Sequence, residues 1–437
     1  MASETFCVLP WIHAATLTDG SVQLCCVSGG GSGVNLNDGT LSDYWNSEYV
    51  KDARRRMLAG RKVKACRRCY LEEALGRRSH RIVENDAWQG RLGADPIQQL
   101  IDETEVDGTL GAPMQYLDLR LGNTCNMQCV MCQPRESSRW LPTARKLSQL
   151  CEGDELKDTW EFKSAIDTGR FEWYRNPEFW SNLETFLPHV KELILAGGEP
   201  FLSKEQFAFV KACCETGEAN HIRLRYHTNG TIFPEEIVSY WKQFEQVHFM
   251  VSIDGTGEVA DYVRHPSDWE RIDANVRRLD AVGENSLTSF HFTTHALNVF
   301  RLPDVLDWAD SSGLRNRERF ASLQELVHTG LVHHPPYMSV RVLPTDYKQV
   351  VTDRIEEYMR TRLSGQPVDK LTAVLNFMNS EDDSQRMPSL VEYTSTLDSI
   401  RGSDIFRTLP ELEPYWARYE GERSRARPEP GVPSNAR

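Results

Sequence analysis

Three cysteines, Cys125, Cys129 and Cys132, lie on one short stretch directly after the strand-like run 116–121. Three thiolates on one loop can bind three irons of a [4Fe-4S] cube and leave the fourth iron open to a small molecule. Structural zinc sites usually have four ligands in paired Cys-x-x-Cys or Cys/His arrangements, and no fourth ligand follows closely here. The spacing therefore favours a cube, with zinc or three buried thiols as the alternatives.

The spacing resembles the signature of the radical S-adenosylmethionine (SAM) enzymes, whose open iron binds the methionine moiety of SAM. The resemblance implies that reduction of the cluster cleaves SAM and that a 5′-deoxyadenosyl radical then takes hydrogen from a substrate carbon. The residue before the third cysteine is often aromatic in this family and packs near the adenine. Here it is Met131, whose thioether can also contact a purine.

A strand-like run at 193–196 ends in Gly197, Gly198 and Glu199. Glycines let the backbone approach a ligand closely, and a carboxylate accepts hydrogen bonds from an ammonium group. By resemblance this is the family's Gly-Gly-Glu motif, in which the acid receives the SAM amino group. Taken alone, the same residues are a plain turn after a strand.

Three further strand-like runs end in polar residues in the order expected for the family. By resemblance, Asn229, Ser252 and Asp254 lie where the ribose contacts are found, and Asn298 follows the next strand within reach of SAM. Individually, Asn-Gly and Asp-Gly pairs are more often simple turns. Their order behind the cysteine loop favours ligand-binding strand ends.

A second group of cysteines, namely Cys7, Cys25, Cys66 and Cys69, precedes the first. Four thiolates could enclose a second cube completely, and zinc would fit equally well by count. Together with Pro10-Trp11, Asp19-Gly20 and Trp45-Asn46-Ser47, this pattern resembles the SPASM/twitch auxiliary domain, which implies a second [4Fe-4S] cluster.

In the SPASM/twitch pattern the ligand follows the glycine by five positions, which selects Cys25 over Cys26. No cysteine lies between Cys69 and Cys125. We therefore expect the shorter twitch form with one auxiliary cluster, placed before the main domain rather than after it.

The elements that position these residues alternate between strands and helices. Helical stretches at 204–216, 234–244 and 267–281 separate strand-like runs, which predicts parallel βαβ units. We expect an α/β fold with a partial (β/α)6 barrel and a ligand at the carboxyl ends of its strands. The predicted divisions are a twitch-like domain at 1–91, a linker at 92–113, the barrel at 114–335, a strand at 338–343 within a C-terminal helical region at 336–422, and a disordered tail at 423–437.

Composition restricts the compartment and the partners of the chain. The 437 residues include 11 cysteines, show no secretory signal and contain no apolar run of membrane-spanning length, which predicts a protein of the reducing cytoplasm. The net charge of −13 argues against nucleic-acid binding. Basic residues cluster locally at 54–56, 61–64, 67–68 and 77–81. They predict either a solvated face or a docking surface for an acidic partner, such as a flavodoxin-type or ferredoxin-type electron donor or an acidic peptide.

Three functions remain open from the sequence. The first is a peptide-modifying enzyme that dehydrogenates, crosslinks or epimerises residues, although the first cysteine at position 7 leaves no room before it for a leader-binding domain. The second is an enzyme for a small molecule such as an amino sugar or cyclitol. The third is a non-catalytic metal-binding scaffold. An aromatic-rich insertion at 160–180 is either a packing cover or a lid over the site.

Overall fold

The computed structural model describes residues 4–74 and 78–419. The strands are β1 His13–Thr16, β2 Val22–Gln23, β3 Tyr116–Arg120, β4 Glu192–Ala196, β5 Arg223–Thr228, β6 Gln246–Ser252, β7 Ser286–Thr294 and β8 Val327–Leu331. They form one eight-stranded sheet in the order β2-β1-β3-β4-β5-β6-β7-β8. Strands β3 to β8 are parallel and follow chain order, which confirms the predicted partial (β/α)6 barrel.

Helices connect the strands and cover the outer face of the sheet. Before β3 lie α1 Leu9–Ile12, α2 Leu41–Trp45, α3 Glu48–Leu58, α4 Arg67–Ala74, α5 His80–Leu92 and α6 Ala94–Asp102. Between β3 and β8 lie α7 Trp140–Leu150, α8 Asp154–Ser164, α9 Pro177–Glu184, α10 Lys204–Glu215, α11 Val238–Trp241, α12 Gly257–Val263, α13 Trp269–Asp280, α14 Leu302–Ser311 and α15 Leu323–Leu326. After β8 follow α16 Thr345–Arg362, α17 Asp369–Asn379, α18 Met387–Arg401, α19 Ile405–Thr408 and α20 Glu413–Trp416.

Alternation along the strands separates an apolar outer face from a polar inner face. Leu224 and Tyr226 of β5 and Phe249 of β6 are fully buried, whereas the intervening Arg225 and His227 are half-buried. Since strands in a barrel present one face to the helices and the other to the interior, the polar set faces the interior of the barrel.

The amino-terminal region is joined to the barrel through the sheet itself. Strand β1 pairs in parallel with β3, with His13 opposite Tyr116, and β2 forms an antiparallel hairpin with β1. Helix α5 lies against the same edge, where the ring centroids of Trp88 and Tyr116 are 5.4 Å apart. The sequence predicted separate domains, because no local signal shows that β1 and β3 share a sheet.

The segment predicted as a linker, 92–113, is structured. It contains α6 and lies against the amino-terminal region, because Arg54 donates from Nη1 to the carbonyl of Gly108 at 3.1 Å and Trp45 donates from Nε1 to that of Ala112 at 2.8 Å. Arg54 is fully buried, and burial lowers its pKa to about 10. The polar and acidic composition of segment 92–113 wrongly predicted a linker, because the segment makes these contacts through its backbone carbonyls rather than its side chains.

The predicted strand at 338–343 is absent from the described part of the chain. Two short 3-10 turns, Pro336–Met338 and Val340–Val342, occupy this segment, and β8 ends earlier at Leu331. Pro335, Pro336 and Pro344 flank the segment and lack the N–H groups of a strand ladder. The helix expected at 234–244 is a 3-10 turn followed by α11 alone.

The tail predicted as disordered, 423–437, and Arg77 of the basic stretch at 77–81 lie outside the described residues. Among the residues that the model describes, no helix is long and apolar enough to cross a bilayer.

Candidate active site

The loop that carries Cys125, Cys129 and Cys132 follows the carboxyl end of β3 and is held by backbone hydrogen bonds. The N–H of Cys132 donates to the carbonyl of Cys129 at 2.9 Å, and the N–H of Val130 donates to that of Val263 at 2.8 Å. This places the loop against the end of α12, at the edge of the sheet where the strand ends meet.

The three thiols are close enough to interact electrostatically. Burial raises the pKa of the Cys132 thiol, and the neighbouring Cys129 and Cys125 thiols raise it further. Burial likewise raises the pKa of Cys125 to about 11. Binding to iron would deprotonate these groups, and three thiols clustered on one buried loop fit a cube with one open iron.

Gly197 and Gly198 allow the end of β4 to lie directly on the cysteine loop. A Cβ on Gly198 would overlap the carbonyl oxygen of Thr124, and one on Gly197 would come within 2.8 Å of the carbonyl oxygen of Gly122. The N–H of Glu199 donates to Thr124 at 2.8 Å. The sequence predicted close approach to a ligand, whereas the backbone approached here is that of the cysteine loop.

Glu199 is almost fully buried at the centre of this region, at 2% exposure. Its Oε1 accepts hydrogen bonds from Oγ1 of Thr228 at 2.8 Å and from the N–H of Phe201 at 3.1 Å. Its Oε2 accepts one hydrogen bond, from the N–H of Asn229 at 2.7 Å. Burial raises its pKa to about 7. Oε2 therefore keeps a lone pair for another donor, as the predicted ammonium contact requires.

Asn229 contacts the cysteine loop. Its Nδ2 donates to Oδ1 of Asn126 at 2.8 Å and lies 3.9 Å from Sγ of Cys125. Its Oδ1 accepts from the N–H of Thr231 at 2.9 Å. The side chain thus links the end of β5 to the loop, and its predicted ribose contact stays a prediction.

Asp254 and Asn298 are fully buried, and the side chain of each is hydrogen-bonded to other groups of the protein. Asp254 pairs with Arg264 at 2.5 Å, and Nδ2 of Asn298 donates to the carbonyls of Asp254 and Thr293 at 3.1 and 3.0 Å. Their side chains hold the ends of β6 and β7 together, and the SAM contacts predicted for them stay predictions.

Ser252 and Met131 are both half-buried. Ser252 is the last residue of β6 and is paired in register with His291 of β7, so its hydroxyl lies on the inner face. Met131 packs partly against the core. The SAM contacts predicted for these two residues stay predictions.

Arg264 was missed by the sequence analysis. It is 8% exposed, and its Nε has no hydrogen-bond partner among the described residues. The Cys129 and Cys125 thiols are among the groups that raise its pKa. A buried cation therefore faces the cysteine loop. The only sequence signal is an arginine closing the short helix α12, which many surface helices share.

The inner face of the barrel is lined by charged and imidazole side chains. Arg225 pairs with Glu192 at 3.0 Å, and Arg120 lies 3.6 Å from Asp118. The histidines on this face are His227, His248, His291 and His328. Burial first, and then the charges of Arg225 and Arg120, lower the pKa of His227 to about 3, with smaller contributions from His291 and His328. These side chains therefore face one another across the interior.

Three polar atoms on this inner face have no hydrogen-bond partner in the described structure. They are Oδ1 of Asp118, Nε of Arg120 and Nε of Arg225. Buried polar groups are paired in most proteins. An unpaired acceptor beside two unpaired donors suits a bound group that carries both donors and acceptors.

The second cysteine group surrounds one cavity. Cys7, Cys25, Cys66 and Cys69 line it together with His80 and Arg81. Burial raises the pKa of the Cys66 thiol to about 12. Four thiols around a cavity fit a fully enclosed cube. No three Cys, His, Asp or Glu side chains of residues 4–74 and 78–419 are placed to hold a single metal ion.

Cys26 does not line the four-thiol cavity. Its Sγ lies 3.8 Å from Nε2 of His80. Burial and the nearby Asp118 carboxylate raise its pKa to about 11, against the opposing effect of Arg120. The two adjacent cysteines thus differ: Cys25 lines the cavity, whereas Cys26 lies outside its lining, beside His80 and near enough to Asp118 and Arg120 for their charges to act on its thiol.

The aromatic insertion packs over the cysteine loop. The rings of Trp140, Trp160 and Tyr393 stack with centroids 5.3 and 5.7 Å apart, and the hydroxyl of Tyr393 donates to the carbonyl of Val130 at 2.6 Å. Trp173 donates from Nε1 to the carbonyl of Thr18 at 3.0 Å. Of the two interpretations, these contacts support the packing cover.

Two family models match the chain. Residues 119–309 match the radical SAM superfamily, and residues 7–70 match the iron-sulfur cluster-binding domain SPASM. No curated protein shows significant sequence similarity to the chain.

Solved structures similar to this chain include Streptococcus suis SuiB bound to S-adenosylmethionine and SuiB bound to precursor peptide SuiA. Each is 11% identical with a TM-score of 0.34, over 72% of this chain and 63% of SuiB. The structure of TYW1 with a lysine-pyruvate adduct is 12% identical with a TM-score of 0.28, over 56% of this chain and 72% of TYW1. The chain thus spans less than two thirds of the length of SuiB.

Proposed function

We propose that this chain, which belongs to the radical SAM superfamily and carries an amino-terminal SPASM domain, is an enzyme. It modifies a peptide at one of its carbon atoms. When bound, the [4Fe-4S] cluster and SAM supply reductive cleavage of SAM and a 5′-deoxyadenosyl radical that takes hydrogen from the substrate. One observation carries the proposal. The loop with Cys125, Cys129 and Cys132 contacts Glu199 and Asn229 at the carboxyl ends of the barrel strands, where barrel enzymes bind their substrates.

The residues around the loop have separate tasks. Cys125, Cys129 and Cys132 would bind the cluster, and Oε2 of Glu199 would accept a hydrogen bond from the SAM amino group. Arg264 is buried beside the thiols and offsets part of the negative charge that three thiolates bring. The stack of Trp140, Trp160 and Tyr393 excludes water from the outer side of the loop.

The four-thiol cavity would hold an auxiliary [4Fe-4S] cluster through Cys7, Cys25, Cys66 and Cys69. A second redox centre can accept the electron left on a substrate radical and so permit net oxidation, or it can pass an electron inward. The reductant would be a flavodoxin-type or ferredoxin-type protein. The possible outcomes for the peptide are dehydrogenation, crosslinking and epimerisation.

The barrel interior indicates which part of the substrate reacts. Asp118, Arg120 and Arg225 offer unpaired polar atoms there, so the group that enters is polar rather than aliphatic. A polar side chain of a peptide meets this requirement.

A polar small molecule is the second candidate, and the same lining favours it. An amino sugar or cyclitol carries hydroxyl groups that donate and accept hydrogen bonds at once. A non-catalytic metal-binding scaffold is the third candidate, and it predicts that reduction produces no 5′-deoxyadenosine.

The test begins with co-expression of the enzyme and the short peptides encoded beside its gene, anaerobically in deuterated water. High-resolution mass spectrometry should detect a loss of two hydrogens, or a gain of one deuterium at a carbon. The Cys125→Ala variant is the control and should leave the peptides unchanged. Unmodified peptides together with 5′-deoxyadenosine from the purified enzyme would favour a small-molecule substrate. Absence of both products would refute radical SAM chemistry.

A further inference from the structure

The amino-terminal region carries a large surface groove that the proposed chemistry does not use. It encloses about 720 Å3. Its apolar lining consists of Tyr49, Val63, Ala65, Tyr70, Leu71 and Ala74. The side chain of Leu71 is an exposed apolar group, at 52%. We call this feature the basic groove because of the charges on its rim.

Four cations and one acid line the rim of the basic groove, namely Arg56, Lys62, Lys64, Arg67 and Asp52. Asp52 pairs with Arg56 at 2.7 Å. Lys62 lies 5.4 Å from the centroid of the Tyr70 ring. In the described structure no carboxylate forms a salt bridge with Lys62, Lys64 or Arg67. Lys62 acts at longer range on Glu73, whose direct partner is Arg81, so most of this positive charge is left for a partner. This local charge is opposite in sign to the net charge of −13 of the whole chain.

The basic groove and the four-thiol cavity share a wall. Ala65, Arg67 and Tyr70 line the groove, while Cys66 and Cys69 of the same segment line the cavity. A molecule in the groove would therefore lie one layer of protein away from the auxiliary site.

We propose that the basic groove binds an acidic peptide segment with apolar side chains, as a part of the substrate remote from the reacting residue. The apolar floor takes side chains that protrude, and the rim supplies charge of the opposite sign. A concave site of this volume suits protruding side chains better than the flat face of a folded redox protein. The role as a substrate contact rests on the proposed function, whereas the binding itself does not.

The test uses the full-length protein, reconstituted anaerobically, and a fluorescein-labelled peptide of about twelve residues made of glutamate and leucine. Fluorescence anisotropy should show saturable binding that weakens as salt rises, because exposed charges are screened. A peptide with lysine in place of glutamate, and one with serine in place of leucine, should each bind about tenfold or more weakly. Equal binding of all three peptides would overturn the proposal.

Charge-reversal variants on the rim test whether the peptide binds in the basic groove. The Lys64→Glu/Arg67→Glu variant should weaken binding about tenfold, since each exposed pair contributes up to about a factor of five. Because these residues flank Cys66, the Arg56→Glu/Lys62→Glu variant, away from the thiols, provides a second measurement with the same expected direction. Lys211→Glu, on the exposed surface of α10, is the matched control and should bind like the unaltered protein. Unchanged affinity in both rim variants would refute the site.

The rival occupant is an acidic redox protein. If the rim variants slow cluster reduction by a flavodoxin and leave peptide affinity unaltered, the groove belongs to the electron donor and the proposal is wrong. Formation of 5′-deoxyadenosine is measured separately. Its absence while the peptide still binds would contradict the proposed function and leave the groove assignment standing.

Discussion

Arg264 and Asp254 form a buried ion pair at the end of β6. Nη1 of Arg264 donates to Oδ2 of Asp254 at 2.5 Å, and the side chains are 9% and 0% exposed. Oδ1 of Asp254 accepts from the N–H of Thr293 at 2.6 Å. The pair therefore links β6 and β7 to the segment that supports the cysteine loop.

Removing one partner of this pair should be costly. Arg264→Met leaves the Asp254 carboxylate buried and uncompensated, and we expect the free energy of unfolding to fall by about 3 to 5 kcal/mol. The double variant Arg264→Met/Asp254→Asn should recover part of that loss. Arg223→Gln, which removes a solvent-exposed pair with Glu245, is the control and should lose about 1 kcal/mol or less. Urea unfolding measures the free energy of unfolding of each variant. Equal losses of this free energy in Arg264→Met and Arg223→Gln would contradict a buried pair.

Glu199 should be required for SAM affinity. Glu199→Ala removes the acceptor for the SAM amino group, and we expect binding to weaken by about 1.5 to 3 kcal/mol, the value of a hydrogen bond to a charged group. Isothermal titration of SAM into the reconstituted protein measures this. Glu205→Gln, in the first turn of α10, should bind SAM normally. A Glu199 variant with unaltered affinity would exclude that residue from the site.

Gly198 should tolerate no side chain. In Gly198→Ala the new Cβ overlaps the carbonyl of Thr124, so the cysteine loop must move and the SAM-binding cluster should be lost. Gly90→Ala is the matched control, because Gly90 lies within α5 with nothing near its Cβ position. It should gain about 0.5 to 1 kcal/mol of stability. Iron analysis and thermal unfolding distinguish the two, and a Gly198→Ala protein with full iron content would show that the contact is not restrictive.

Glu84 should make stability depend on pH. Burial raises its pKa from 4.5 to about 7 in the folded protein, so the unfolded chain binds fewer protons between these values. The contribution of the protonated Glu84 to the free energy of unfolding is therefore fully present below pH about 4.5. It is lost as the pH rises through about 7, and the loss amounts to up to roughly 3 kcal/mol. Glu84→Gln should gain stability relative to the unaltered protein between pH 5 and 8. The measured difference includes the effect of the substitution on His80, whose Nδ1 lies 3.8 Å from Oε1 of Glu84. A pH-independent difference would rule out the shifted carboxyl.

Cys25 and Cys26 should differ in iron content when substituted. Cys25→Ser removes one of four thiols around the cavity, and we expect the loss of about four irons per chain, the content of one cube. Cys26→Ser should keep them, because its thiol lies outside the cavity lining, beside His80. Iron and sulfide analysis after anaerobic reconstitution decides this. The reverse result would exchange the two assignments.

The sequence predicted those parts of the molecule that depend on local spacing. Strands ending in glycine or polar residues, as at Gly197 and Asn229, predicted the parallel barrel because a single strand and its turn carry the signal. At 338–343 the alternation of apolar and polar residues wrongly predicted a strand. Val340 and Val342 are equally buried, but they lie in a 3-10 turn between prolines.

Tertiary partners could not be predicted in this way. Nothing local shows that Arg264 faces the cysteine loop or that Arg54 binds the carbonyl of Gly108, more than 50 residues away. The roles of Asp254 and Asn298 could not be settled from their strand-end positions, because their atoms are bonded to protein partners that only the folded chain brings together.

The hydrogen bonding of β1 to β3 determines how the two thiol sites move. Neighbouring strands are held about 4.8 Å apart by their backbones, so the amino-terminal region is part of the same cooperative unit as the barrel edge. A domain on a tether would sample a range of separations from the cysteine loop, whereas one built into the sheet keeps a single separation. Hydrogen exchange at Ala15 and Asp118, which are paired in register, should therefore proceed through the same opening event.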